Sequence, residues 1–361
     1  MILWPIPAVR SETVTSLGLA AGYTDNLFAD SSVINDSYTR AEGTVRIFPT
    51  MATVVSLTGA YTAFGRTDEL DYLDLGGSVS YLWGGPSRRL TSYYSAGAAL
   101  RRYGSYYEEY NRYNTEAAAG LRVMLSPSVQ ARLGGHFSAA AYPDSENGNY
   151  RSLSGLLGLN ATLPGSNSLD LEASCVQSWL ADLPSAFATS ADSSYWSGRM
   201  SDDLLSLQYR ARWSRPVGDW LGLSLSLAGR AYLGESNPLV PGYTFDELSP
   251  WSDFWQGQSL GLDIKTFFIP HSIVGLGVGY RSAEFIDILE NDTSAGTSNY
   301  YVAERDDDRV SAYLDFRRPF RLAGGALITP VLEVGYVDNS STLSRYEFSS
   351  VSMSLRVTVT P

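Results

Sequence analysis

Nucleophilic and metal-centred chemistry is most often built from histidine, cysteine and hydroxyl side chains. This chain of 361 residues has two histidines, His136 and His271, and one cysteine, Cys175. Ser138 follows His136 by two positions, so an extended chain puts both on one face, as a general base and a hydroxyl nucleophile require. The plainer reading is a histidine hydrogen-bonded into a polar wall. His271 follows Pro270 in a stretch that reads as a tight turn. Two histidines so far apart do not make a zinc site, and a lone cysteine forms neither an intramolecular disulfide nor a CxxCH haem attachment. The expectation is a protein that is not an enzyme and carries no cofactor or metal of its own.

A larger group of residues repeats with a period of two. Arg40, Glu42 and Arg46 alternate with Ala41, Gly43, Val45 and Ile47, and Arg132 and His136 alternate with Ala131, Leu133, Gly135 and Phe137. Arg210 and Arg212 alternate with Leu207, Tyr209, Ala211 and Trp213. Carried through the chain, the same parity collects Asp74, Glu116, Arg122, Asp170, Glu172, Arg230, Asp263, Lys265, Arg281, Asp315, Arg317, Glu333 and Arg356. Strict alternation is the pattern of a strand with lipid on one side and water on the other. A charge at the bilayer midplane on the lipid side costs about 2–4 kcal/mol, so these residues must face a polar interior. Two roles are open to them. They can shape a channel through its transverse field, or they can form a salt-bridged lining that solvates the interior.

The elements that place them are extended segments along the whole chain. The last, SSVSMSLRVTVTP at residues 349–361, is the purest, with Val351, Met353, Leu355, Val357 and Val359 on one side and Arg356 on the other. It is expected to lie beside the first strand, where Leu17, Leu19, Ala21 and Tyr23 share a face, and so close a barrel. Between these ends the pattern predicts about sixteen strands, with fourteen or eighteen as alternatives. Tight turns with Pro or Gly fall at every second junction (Pro49, Pro127, Pro164, Pro216, Pro270) and polar or acidic connections at the others. The longest of these connections are at 183–201, 235–253 and 287–305. Outer-membrane barrels share that asymmetry, with short periplasmic turns and longer extracellular loops. Tyr23, Tyr61, Trp83, Trp213, Trp220, Phe268, Tyr280 and Tyr336 sit near strand ends on the apolar parity, as interfacial girdles require.

Composition agrees. No apolar run approaches the roughly 18 residues that a spanning helix needs, and the mean hydropathy of −0.10 fits strands that are half wet. The net charge of −12 argues against nucleic acid as a partner. Lys265 is the single lysine among 26 basic residues, and arginine is the better cation for packed, hydrogen-bonded networks with carboxylates. Residues 1–11 read as the tail of a signal peptide or an N-terminal tail, and residues 12–361 as one barrel domain.

The segment GYTDNLF at residues 22–28 resembles the opening of porin-like barrels of Gram-negative outer membranes, whose first strand often reads Gly-Tyr-Asp-x-Asn-[Leu/Ile/Val]-Phe. Such barrels often end in an aromatic residue, whereas this chain ends Val359-Thr360-Pro361. The resemblance implies an all-β, transmembrane, antiparallel up-and-down barrel in the outer membrane. It further implies a channel for passive diffusion of ions or small hydrophilic solutes. The alternative is a structural sheath around a partner, such as a multihaem cytochrome in an electron conduit, or a secretion or polysaccharide-export pore. Expected partners are outer-membrane lipid and lipopolysaccharide, the latter through divalent cations on acidic loops, together with a periplasmic or lumen-filling protein in the sheath reading.

Overall fold

A computed structural model describes residues 12–29, 31, 33–84, 89–144, 149–180, 203–234, 239–241, 254–292 and 299–361. The expected tail at 1–11 and the loop at 183–201 lie outside the described residues, as does most of the loop at 235–253. The strands are β1 (Glu12–Thr24), β2 (Asp36–Thr50), β3 (Thr53–Phe64), β4 (Tyr72–Trp83), β5 (Leu90–Tyr103), β6 (Arg112–Ser126) and β7 (Val129–Ala141). They continue with β8 (Tyr150–Leu163), β9 (Asn167–Leu180), β10 (Asp203–Val217), β11 (Leu221–Tyr232), β12 (Leu239–Pro241), β13 (Trp255–Thr266) and β14 (Ile273–Phe285). The last are β15 (Asp287–Asp292), β16 (Asn299–Ala303), β17 (Asp306–Arg317), β18 (Phe320–Arg321), β19 (Leu327–Ser341) and β20 (Phe348–Thr360).

Sixteen of these form one closed antiparallel barrel, each pairing with its neighbours in the chain. The two-residue β18 adds a short rung to β19. The barrel closes between β1 and β20, with Leu17 opposite Val359, Leu19 opposite Val357, Ala21 opposite Leu355 and Tyr23 opposite Met353. This is the pairing the two apolar rows predict. Closure removes both sheet edges, which is what allows strands to cross a bilayer with every backbone group satisfied. Short turns and longer connections alternate round the barrel, so one end is a turn end and the other a loop end.

The side-chain period of two sorts each strand between the faces. Outward stand Leu17, Leu19, Leu57, Leu133, Leu157, Leu225, Leu260, Val278 and Leu355, all exposed. In a soluble protein such a surface would be a liability; here it is the lipid-facing band. Of the girdle aromatics, Tyr23, Tyr61, Trp83, Tyr280 and Tyr336 are exposed on the same face, and Trp220 and Phe268 are exposed in the β10–β11 and β13–β14 turns. Cys175 is exposed there too.

Two features depart from the sequence pattern. The first strand stops at Thr24, partway through the GYTDNLF segment. Thr24 Oγ1 and the Asn26 backbone engage each other at 3.2 Å, and the chain then turns so that Asn26 and Phe28 are buried at 4% and 3% exposure. The GYTDNLF segment is therefore half strand and half loop anchor. The connections also hold strands that no alternation marks: β12, β15 and β16 form a small separate sheet, with β12 parallel to β15.

Candidate functional site

Followed round the barrel, the register ties every charged residue of the predicted parity to one face. Arg356 lies opposite Ala20, and Ala20 opposite Arg40. Glu42 is opposite Ala60 and Ala60 opposite Asp74, while Glu116 is opposite Ser138 and His136 opposite Ser154. Further on, Glu172 meets Arg210, Gln208 meets Arg230, Gly275 meets Asp315, and Asp315 meets Glu333, which meets Ser354. Arg46, Arg122, Arg132, Asp170, Arg212, Asp263, Lys265, Arg281 and Arg317 share this face by parity. It is the face opposite the exposed leucines.

These residues are organised as local networks. On β7–β10, Arg132 Nη2 donates to Asp170 at 2.9 Å and lies 3.6 Å from Glu172, which Arg210 Nη2 reaches at 3.4 Å. Asn160 adds a bond to Asp170 at 3.2 Å, and Arg212 Nε donates to Ser224 at 2.8 Å. On β2–β5, Arg101 grips Asp74 with two nitrogens at 2.7 and 3.1 Å, with its guanidinium 4.3 Å from the Tyr72 ring centroid. Arg40 bridges Asp74 and Glu42, each at 3.4 Å. Elsewhere Arg317 pairs with Asp315 at 3.0 Å, Arg356 with Glu333 at 3.6 Å, and Tyr313 donates to Asp263 at 2.6 Å. His136 Nε2 lies 3.9 Å from Glu116. His271 sits at the β13–β14 turn with φ of 61°.

Arg101, Arg112 and Arg309 also belong to this face and were not singled out by the alternation. Arg101 and Arg102 are adjacent within a strand whose centre is Ala96-Gly97-Ala98-Ala99, so no apolar row fixes which of them faces inward. Arg112 and Arg309 stand at strand ends, where counting by two from Glu116 and from Asp315 would have reached them.

Large side chains on this wall lie flat. A Cβ on Gly120 would fall 2.5 Å from the Tyr93 ring, and one on Gly277 would fall 1.9 Å from that of Tyr313. Each glycine thus clears a seat that keeps an aromatic out of the bore.

The β7–β11 sector is layered from the loop end downwards. On β9 the inward series is Leu180, Ser178, Val176, Ser174, Glu172, Asp170; on β10 it is Leu204, Ser206, Gln208, Arg210, Arg212, Ser214. An apolar level stands above a hydroxyl and amide level, which stands above a charged one. The middle level borders a cavity of about 330 Å³. A second cavity of about 510 Å³ lies against β3–β7, with Ser56, Thr58, Arg112 and Glu116 among its walls.

At the loop end, two apolar clusters cap the wall. Leu180, Leu204, Phe254, Ile286 and Tyr346 form one, and Phe28, Leu70, Tyr103, Tyr107 and Tyr110 the other. Beside the first cluster, Arg305 is 1% exposed and ion-paired with the fully buried Asp307. Its guanidinium carbon is 4.0 Å from the Phe285 ring centroid and 3.7 Å from that of Tyr346. Asn339 secures the same loop by donating to the Tyr346 carbonyl at 2.7 Å. Across the rim, the buried Asp36 carboxylate accepts backbone N–H groups of Ser37, Arg66 and Thr67 at 2.7, 3.0 and 2.9 Å. No apolar row marks these anchors: Asp36, Asp307 and Asn339 stand at the end rungs of their strands, and Arg305 and Tyr346 in the connections.

A closed sixteen-strand barrel, apolar outside and charged within, is the fold of a Gram-negative outer-membrane, porin-like β-barrel. Solved structures share it. OccAB1 of Acinetobacter baumannii matches with a TM-score of 0.52 at 8% identity, covering 96% of each chain. OccAB3 of the same organism matches at 0.52 and 10% identity, covering 97% of this chain and 99% of its own. OccK8 (OprE) of Pseudomonas aeruginosa matches at 0.51 and 10% identity, covering 97% and 98%. No family model and no curated protein sequence matches the chain, so the likeness is one of fold.

Proposed function

We propose that the protein is a passive channel of the outer membrane for ions or small hydrophilic solutes, with the charged inner face as its pore lining. The observation that carries this reading is a complete circle of sixteen strands whose inner face carries the charged networks below the loop-end clusters. Eight strands already give an interior that side chains can fill, and barrels of sixteen to eighteen leave an aqueous bore. Flat-lying tyrosines and small inward residues such as Gly18, Gly275 and Ser352 keep that bore wide. The wall ion pairs fix arginine and carboxylate side chains against the strands, so that solvated charge lines the passage without obstructing it. The likeness to Occ barrels over nearly full length supports the same reading.

A sheath around a partner protein calls for a mouth that admits the partner. The cluster of Leu180, Leu204, Phe254, Ile286 and Tyr346 joins the β9–β10 side of the rim to the β19–β20 connection, which favours a solute-sized opening. Planar-bilayer recording of the purified, refolded chain tests the proposal. Stepwise ohmic conductance is the expected result. Electrical silence from verified folded barrels, with a periplasmic protein co-purifying, would overturn it in favour of the sheath.

A further inference from the structure

The cavity of about 330 Å³ under the loop-end cluster differs from the rest of the wall in its chemistry. Among its described lining residues six are serines, joined by Gln208, and none is a carboxylate. We propose that this chamber binds a neutral polyhydroxylated solute of monosaccharide size. The proposal rests on the channel reading and names the class of solute the channel selects.

Three properties of the chamber carry it. Each serine hydroxyl offers one donor and two acceptor positions, the same inventory as a sugar hydroxyl. Ser152 and Ser178 bond each other at 2.8 Å, and Ser154 donates to the His136 carbonyl at 3.4 Å. Such bonds orient the hydroxyls and still leave lone pairs for a ligand. The roof is apolar and ring-rich: Tyr150 and Phe254 meet edge-on at 88° with centroids 5.3 Å apart, a surface suited to the C–H face of a pyranose. The volume corresponds to about ten waters at roughly 30 Å³ each, and it lies at the small end of ligand sites.

An anionic solute finds less here. Recognition of a carboxylate is strongest with a bidentate arginine fork. The arginines nearest the chamber floor, Arg132 and Arg210, already face Asp170 and Glu172. Arg230 is the single arginine among the described lining residues, and its guanidinium lies 5.2 Å from the Trp255 ring centroid. A negative solute would also stand above the Glu172 and Asp170 carboxylates.

Saturation-transfer NMR on the detergent-solubilised full chain reads this directly, in a zwitterionic detergent without a sugar headgroup. Glucose and glucuronate serve as probes that differ by one carboxylate. Glucose is expected to show transfer and to bind more tightly than glucuronate. Replacing Ser154→Ala together with Ser206→Ala removes two hydroxyls and is expected to weaken glucose by about tenfold, at the usual worth of a hydrogen bond. Ser352→Ala, on the inner face away from the chamber, is expected to leave binding unchanged, and far-UV circular dichroism verifies each fold. Glucuronate binding as tightly as glucose, no transfer to glucose, or an unchanged affinity in the folded double variant would each overturn the proposal. Binding is read without current, so failure here is separate from failure of the channel reading, which shows as absent conductance.

Discussion

Replacing Arg305 by methionine is the sharpest perturbation of the loop-end cap. The side chain keeps its apolar stem between Phe285 and Tyr346 but loses the charge that faces Asp307. Both partners are effectively dry, at 1% and 0% exposure, so the carboxylate is left buried without its counter-charge. Breaking a buried pair from one side costs about 3–5 kcal/mol. At roughly 1.4 kcal/mol per decade, the opened form of this cap becomes about 10² to 4 × 10³ times more populated. Hydrogen exchange by mass spectrometry measures that population. Peptides covering 339–348 should exchange faster by this factor, while those covering 351–359 on the β20 wall stay as protected as before. The double variant Arg305→Met, Asp307→Leu removes both charges and should recover most of the protection, since an apolar pair of similar volume is often as stable. Unchanged exchange at 339–348 in R305M would refute the reasoning. So would acceleration spread evenly over the barrel, which would make the pair a support of the whole wall.

Two further predictions address the faces of the wall. Cys175 points to lipid, so in liposomes it should resist a charged, membrane-impermeant maleimide, while Ser174→Cys in a Cys175→Ala background should react. Equal reactivity of the two would contradict the parity assigned to β9. Leu225→Arg puts a charge into the lipid-facing band and should lower stability by about 2–4 kcal/mol, read as a shift of the urea midpoint in reconstituted barrels. The neighbouring Ser226→Arg faces the interior and should shift it by far less.

The barrel was legible because a period of two needs nothing but the residues themselves. Strands such as β10, with Leu205, Leu207, Tyr209 and Ala211 against Ser206, Gln208, Arg210 and Arg212, state their own orientation. The seam pairing of Leu17 with Val359 followed from two such rows. Legibility failed where side chains are small on both faces, as at Ala96–Ala99, so Arg101 escaped notice although it makes the two-pronged contact with Asp74. It failed again at the loop end, where Arg305 and Tyr346 sit in connections and Asp307 and Asn339 at the end rungs of β17 and β19, beyond the alternating rows. Their meeting depends on how two hairpin ends lean together, which is tertiary information. The layering of Leu204, Ser206, Gln208 and Arg210 was in the sequence all along. It becomes meaningful once the neighbouring strands are known to repeat it at the same height.

The ladder between β1 and β20 has a consequence for how the molecule is made. Every other barrel ladder joins strands that follow one another in the chain, so the sheet can grow hairpin by hairpin with short-range contacts. The pairing of Leu17 with Val359 alone is long-range, yet closure entropy rises only with the logarithm of the separation. Once the intervening hairpins are stacked, most of that ordering has already been done. Until then the growing sheet has two bare edges, and bare edges pair with other chains. The hazard of misassembly is therefore confined to the first and last strands, and a single late event removes both edges together.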